Sequence, residues 1–170
     1  MKVGGQAGSM RGPSSFQEYL HNYTWEVFQL FGDSQTLLVN AKDITPPAFT
    51  VDIENQQGSA LRYKFAKSVS YDDVKIVFYD VVGLIKIVKR WRETVWTPGT
   101  GLKLANDYKK ESRINIYSPT WEPKDGYSWI LKGSWPSVIR HGDLTYTSSD
   151  VKVVEVTVTY DWAEETTSVE

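Results

Sequence analysis

Two histidines, His21 and His141, stand far apart in the chain, and neither has an acidic partner at ligand spacing, so a bound transition metal is not expected. Carboxylates occur in adjacent pairs at Asp72-Asp73 and Glu164-Glu165. Neighbours in a strand point to opposite faces, so neither pair is placed to share a proton as an acid–base couple must. The start of a strand and a solvated acidic ending account for them. Pro98-Gly99-Thr100-Gly101-Leu102-Lys103 holds the raw material of a phosphate loop, yet it lacks P-loop spacing and follows a helical segment instead of a strand. Asn22-Tyr23-Thr24 fits the glycosylation triplet, which has no meaning without secretion. Zero Cys removes disulfides, thiolate chemistry and cysteine metal sites together. No nucleophile, base and oxyanion set can be assembled, so no catalytic residue, cofactor or metal is expected.

Function must then lie in surfaces, and surfaces depend on the elements that carry them. A chain of 170 residues has the size of one domain, and at this length roughly 70% of the unfolded surface is buried on folding. Its 7 Trp, 10 Tyr and 6 Phe make it unusually aromatic, as strands and interfaces are. The formal net charge of −2 offers no general attraction to phosphate. No window has the apolar length of a membrane span, and the first residues lack the apolar core of a signal peptide, so assembly in cytoplasm is expected. Residues 1–15 are rich in Gly and Ser and read as a mobile arm, residues 16–163 as one domain, and residues 164–170 as an acidic tail.

Alternation of apolar and polar residues marks a strand over 23–31. A turn at Phe31-Gly32-Asp33 and a returning strand over 37–42 would make an N-terminal hairpin. Pro46-Pro47 ends that ladder; Phe49, Val51 and Ile53 suggest a short extended piece, and 54–59 reads as loop. Residues 61–67 alternate basic with bulky side chains, which fits an edge strand or an extended loop reaching a neighbour. A strand over 71–79 follows, and then the period changes. Val81, Leu84, Ile85, Val88, Trp91 and Val95 recur at helical spacing, predicting one helix over about 81–96 that stops at Pro98-Gly99. Ile114 and Ile116 mark a further strand, and Tyr127, Trp129 and Leu131 another, closed by Trp135-Pro136. The last strand sets Val154, Val156, Val158, Tyr160 and Trp162 against Glu155, Thr157, Thr159 and Asp161. Strands, one helix and more strands, without βαβ alternation, indicate a mainly β fold: an antiparallel β-sandwich or barrel with one flanking α-helix.

The order of motifs resembles the tail-tube proteins of contractile-tailed bacteriophages. The likeness rests on Tyr71-Asp72-Asp73, Lys89-Arg90-Trp91 within the helix, Asp107-Tyr108-Lys109-Lys110, Gly133-Ser134-Trp135-Pro136, and Asp150 followed by Val156-Thr157-Val158-Thr159-Tyr160-Asp161. Gly133, Trp135 and Pro136 are its most specific part, and it spans nearly the whole chain. The resemblance implies a non-enzymatic virion protein that forms hexameric rings, stacked as a tube inside a contractile sheath. Implied partners are further copies of the chain, the sheath protein, and baseplate-initiator, tape-measure and tail-terminator proteins, with genomic DNA passing through unbound. Type VI secretion and extracellular injection tubes are related.

In that setting Arg62, Tyr63, Lys64 and Phe65 are candidates for an inter-ring stacking loop. Glu155, Thr157, Thr159 and Asp161 are candidates for the lumen, where a neutral or acidic wall would let a genome slide. Lys86, Lys89, Arg90 and Arg92 are candidates for sheath contact. Three other readings stay open. A baseplate tube initiator would share the fold; a carbohydrate-binding sandwich would use Trp121, Trp129 and Trp135 as a platform; and an OB-like single-strand binder would stack bases on aromatics.

Overall fold

The structure is a computed structural model and describes residues 24–33, 40–58, 61–117, 127–144 and 150–167. Its strands are β1 (Trp25–Gln29), β2 (Ala41–Ile44), β3 (Ala48–Gln57), β4 (Arg62–Asp72), β5 (Val74–Tyr79), β6 (Trp96–Thr97), β7 (Gly101–Leu102), β8 (Lys110–Ile116), β9 (Tyr127–His141), β10 (Val153–Thr159) and β11 (Trp162–Thr166). The helices are α1 (Leu84–Val95) and a single turn, α2 (Ala105–Tyr108). The fold is mainly β, antiparallel, with one flanking helix.

The organising strand is β9, whose first half pairs with β8 and β11 and whose second half pairs with β10. Because β10 and β11 follow one another along β9, the chain from 153 to 166 runs antiparallel to the chain from 141 to 128 almost without a break. Strands β1 and β8 extend one half, while β5 and β2 extend the other, in the order β1-β8-β9-β10-β5-β2. Between the halves β9 bends at Gly133, whose φ of 66° lies in the left-handed region. A side chain there would run into the Asp161 carboxylate, so only glycine fits. Pro136 does not end the strand as expected. It sits opposite Val158 beside a register shift that leaves Ser137 as the extra residue, and irregularities of this kind are where strands admit proline.

The bend is locked from inside by a short chain of hydroxyls. Phe31 N–H donates to Ser112 Oγ at 2.9 Å, the two serine oxygens of Ser112 and Ser134 are 2.6 Å apart, and Ser134 Oγ donates to the Lys110 carbonyl at 2.9 Å. Since Ser134 spends its proton on Lys110, Ser112 must donate to Ser134. Phe31 and Gly32, at φ of 52° and 77°, are the central residues of the tight turn closed by Leu30 and Asp33, which requires the left-handed region at both, and Ser112 supplies the acceptor for the Phe31 N–H.

The core gathers Val154, Val156 and Val158 of β10, Val74, Ile76 and Phe78 of β5, and Leu84, Ile87, Val88 and Trp91 of α1. Alternation on β10 is as expected through Tyr160. Trp162 then leaves the apolar face and stands 47% exposed, because the turn at Asp161 resets the phase before β11. The expected turn after β1 is present, since Leu30 and Asp33 exchange backbone hydrogen bonds at 3.0 and 2.8 Å. Strand β1 pairs with β8, and β2 with β5. Residues 37–39 of the expected return strand, and the arm over 1–15, lie outside the described residues.

Candidate functional site

Strands β3 and β4 pair with each other along their whole length, from Ala48 opposite Asp72 to Gln57 opposite Arg62. The short extended piece expected from Phe49 therefore continues as strand through 54–57, residues expected as loop, and is one strand of a long hairpin. Nearly every residue in it is exposed. A register shift at Asp52/Ile53 leaves Lys67 as the extra residue and defines two faces. One carries Phe49, Val51, Ile53, Ala66, Val69 and Tyr71 near the base, then Asn55, Lys64 and Arg62 toward the tip. The other is polar at the base, with Thr50, Asp52, Ser68 and Ser70, and aromatic at the tip, with Tyr63 and Phe65. Phe49 is 66% exposed and Ile53 58%. An isolated hairpin with such surfaces is marginal in water, and contiguous exposed apolar area marks an interaction site. Sequence reasoning picked out residues 62–65 and read Phe49, Val51 and Ile53 as an extended piece, but did not join the latter to Val69 and Tyr71 as one exposed apolar face.

The hairpin is tied to the body at its base. Pro46-Pro47 separates β2 from β3, Thr45 N–H donates to the Lys75 carbonyl at 2.8 Å, and Tyr160 Oη donates to the Asp72 carbonyl at 2.9 Å. The Tyr71 and Tyr160 rings lie 5.8 Å apart. Burial, then the negative charges of Asp72 and Asp73, push the Tyr160 phenol up to about 12. A phenol whose folded pKa is raised contributes stability that is complete below the unfolded value of 10.0 and is lost as pH rises through about 12. Tyr160→Phe should therefore cost about 1 kcal/mol at neutral pH, the lost hydrogen bond, and show a shallower loss of stability in alkali. Urea midpoints across that range check it; parallel alkaline profiles for the two proteins would contradict it.

Beside the base, Pro47, Phe49 and Tyr71 form one wall of a cleft of about 290 Å³ and Trp129, Ala163 and Glu165 the other. Trp129 Nε1 donates to Glu165 Oε1 at 3.3 Å, and the Tyr127 ring meets Trp129 edge-on at 5.2 Å. The acidic ending is thus partly ordered: Glu164 and Glu165 lie in β11, exposed and on opposite faces.

Glu155, Thr157 and Thr159 share the face of β10 turned away from the buried valines, and each is half-buried. Glu155 lies 3.5 Å from Lys75 and 3.9 Å from Arg140, so that face is mixed in charge. Asp161 stands past the strand end, where Lys109 Nζ clasps both its oxygens at 2.6 and 2.8 Å. Trp135, next to the Gly133 bend, takes the Tyr108 ring edge-on at 5.6 Å. The β10 row and the Asp161–Lys109 clasp are therefore separate features.

Helix α1 turns Leu84, Ile87, Val88 and Trp91 inward and Lys86, Lys89, Arg90 and Arg92 outward. Arg90 is paired with Asp33, and Lys89 lies 3.7 Å from Glu93. A second cleft, of about 270 Å³, runs between this helix and the end of β9, with Ile85, Val88 and Ile139 as floor and Lys89, Arg92 and His141 at the rim. His21 and Trp121 lie outside the described residues. Among the described residues no three His, Asp or Glu side chains gather as metal ligands, and no helix is long and apolar enough to cross a membrane. Residues 98–103 fall on the small β6–β7 hairpin, with glycines at φ 95° and 80°.

No family model and no curated protein matches this chain. Solved structures do. A chain in the cryo-EM structure of the anti-feeding prophage cap, the AFP tube terminating cap, superposes with a TM-score of 0.73 over 95% of this chain and 99% of that one, at 15% identity. A chain of the PVC sheath/tube terminator of an extracellular contractile injection system gives 0.70 over 89% and 99%, at 12% identity. One from the PVC sheath-tube complex gives 0.67 over 86% and 90%, at 13% identity. At such identities the likeness establishes the fold, and this chain folds as chains of contractile injection tubes and caps do.

Proposed function

We propose that the chain is a structural subunit of a contractile-tail tube, assembling into hexameric rings that stack as the conduit for DNA inside a sheath. The observation that carries this is the β3–β4 hairpin, a long amphipathic ribbon with exposed apolar and aromatic side chains and no covering element among the described residues. A monomer gains nothing from such a surface, whereas a ring or stack buries it by symmetry. The shared fold with tube-and-cap assemblies supports the same reading. In the tube, Glu155 and Thr157 line the lumen, where the mixed charge beside Lys75 and Arg140 presents no continuous basic track for phosphate. Lys86, Lys89 and Arg92 face an acidic sheath surface, while Arg90 is engaged by Asp33.

A second reading has its own support: two of the matched structures contain a tube-terminating cap and a sheath/tube terminator. A terminator forms one ring and stops. Negative-stain microscopy of the purified protein separates these outcomes. Long hollow tubes are expected; isolated rings would favour a terminator or a baseplate initiator; monomers at high concentration would overturn the assembly reading. In the same preparation, Lys86→Glu with Lys89→Glu should leave tube length unchanged and abolish co-sedimentation with the cognate sheath subunit, and retained sheath binding would remove the helix from the sheath interface.

A further inference from the structure

We infer that the cleft between the hairpin base and β11 is the receptor for the hairpin tip of a second copy of this chain. The inference rests on the assembly reading and names the contact that propagates it. Tip and cleft are chemically matched. The tip presents Tyr63 and Phe65, half-exposed, with Arg62 and Lys64 on the opposite face of the same hairpin. The cleft offers the aromatic walls of Phe49, Tyr71 and Trp129 and a carboxylate at its rim, Glu165. The cleft has room for ring-sized side chains, so an aromatic residue of the tip seats between its walls while the tip's cations approach Glu165 at the rim.

Geometry makes the match directional. Tip and cleft lie at opposite ends of one hairpin, and β3 alone has 10 residues; at about 3.4 Å per residue the two ends are on the order of 30 Å apart. A contact joining two different patches of the same molecule is heterologous. Each copy that fills a neighbour's cleft leaves its own cleft open for the next, so the contact propagates from copy to copy, along an axis wherever the rotation between copies does not close it into a ring. Phe49 and Tyr71 belong both to the cleft wall and to the hairpin, which couples a filled cleft to the position of the tip beyond it.

The experiment uses the full chain, with assembly followed by sedimentation and electron microscopy and folding by circular dichroism. Glu165→Lys alone, and Arg62→Glu with Lys64→Glu alone, should each raise the concentration needed for polymerisation at least tenfold. Combining all three in one chain restores opposite charges between tip and cleft and should return assembly toward the wild-type level. Rescue by the combination cannot come from a misfolded subunit. If wild-type chains polymerise and neither charge reversal changes the threshold, or the combined variant is no better than the single ones, the cleft is not the receptor and the assembly reading stands. If wild-type chains form isolated rings that never stack, the propagating contact falls and a terminator is favoured; if they stay monomeric, the assembly reading falls with it.

Discussion

Trp91→Ala is expected to lower the free energy of unfolding by about 3–5 kcal/mol, the largest loss of any single substitution in the helix. Trp91 is 1% exposed and is among the largest fully buried side chains. It lies edge-on to Phe31 at 5.4 Å and tilted against Phe78 at 6.2 Å, so one ring joins α1 to the turn after β1 and to β5. Alanine would open a cavity bordered by elements fixed in place by sheet hydrogen bonds, which cannot collapse to fill it. The ring carries an inconsistency of its own, because its Nε1 is buried without a hydrogen-bond partner among the described residues. Phenylalanine removes that orphan donor while keeping an aromatic ring, so Trp91→Phe should cost about 1–2 kcal/mol, well below the alanine variant. Urea denaturation of the two variants checks both numbers. Equal losses would mean that a phenyl ring recovers none of the packing that the indole provides; a loss under about 1 kcal/mol for alanine would mean the helix is not anchored through this ring.

The same residue shows what the sequence makes legible. Leu84, Val88 and Trp91 recur at helical spacing because α1 has one buried face and one wet face, and β10 was readable because its valines face the core while Glu155, Thr157 and Thr159 do not. Hydrophobic period records burial, and where burial is one-sided the element declares itself. The hairpin breaks that condition. Phe49, Val51 and Ile53 marked the first half of β3, but residues 54–57 carry no apolar side chain and both their faces meet solvent, so nothing in the local pattern distinguished that second half from a loop. Partnering was hidden for another reason. Trp25 opposite Ile116 joins distant parts of the chain, and alternation marks each strand without saying which distant strand it pairs with. Gly133 and Pro136 were noticed as a motif, yet their physical role as bend and register shift appears only once Asp161 and Val158 are set beside them. The candidate site was legible in the same uneven way. Basic and aromatic residues at 62–65 stood out, whereas the cleft needs Phe49, Trp129 and Glu165, drawn from three strands that only the sheet brings together.

Replacing residues 53–67 by Asn-Gly is expected to abolish polymerisation while leaving the subunit folded. Asp52 and Ser68 are directly opposed, and Ser68 Oγ donates to Asp52 Oδ2 at 2.7 Å, so the shortened ribbon closes on a native pair. Asn-Gly supplies the left-handed backbone that a two-residue hairpin loop requires. None of the excised residues with a described side chain is buried, and the distal hairpin contacts mainly itself. Stability should therefore change by less than about 1 kcal/mol, as for surface changes generally. The base stays in place, because Tyr160 still holds Asp72 and the cleft walls at Phe49 and Tyr71 are untouched. What is lost is the tip and the distal apolar strip. A truncated chain with unchanged denaturation and no tubes would locate self-association in the hairpin. Truncated chains that still form tubes of normal length would assign it to the strand edges β1, β2 and β11, which have no further strand beside them among the described residues and offer another means of joining copies. The two routes also differ in salt response, since a contact with Arg62 and Lys64 against Glu165 weakens as ionic strength rises, whereas backbone pairing along a strand edge is nearly insensitive to it.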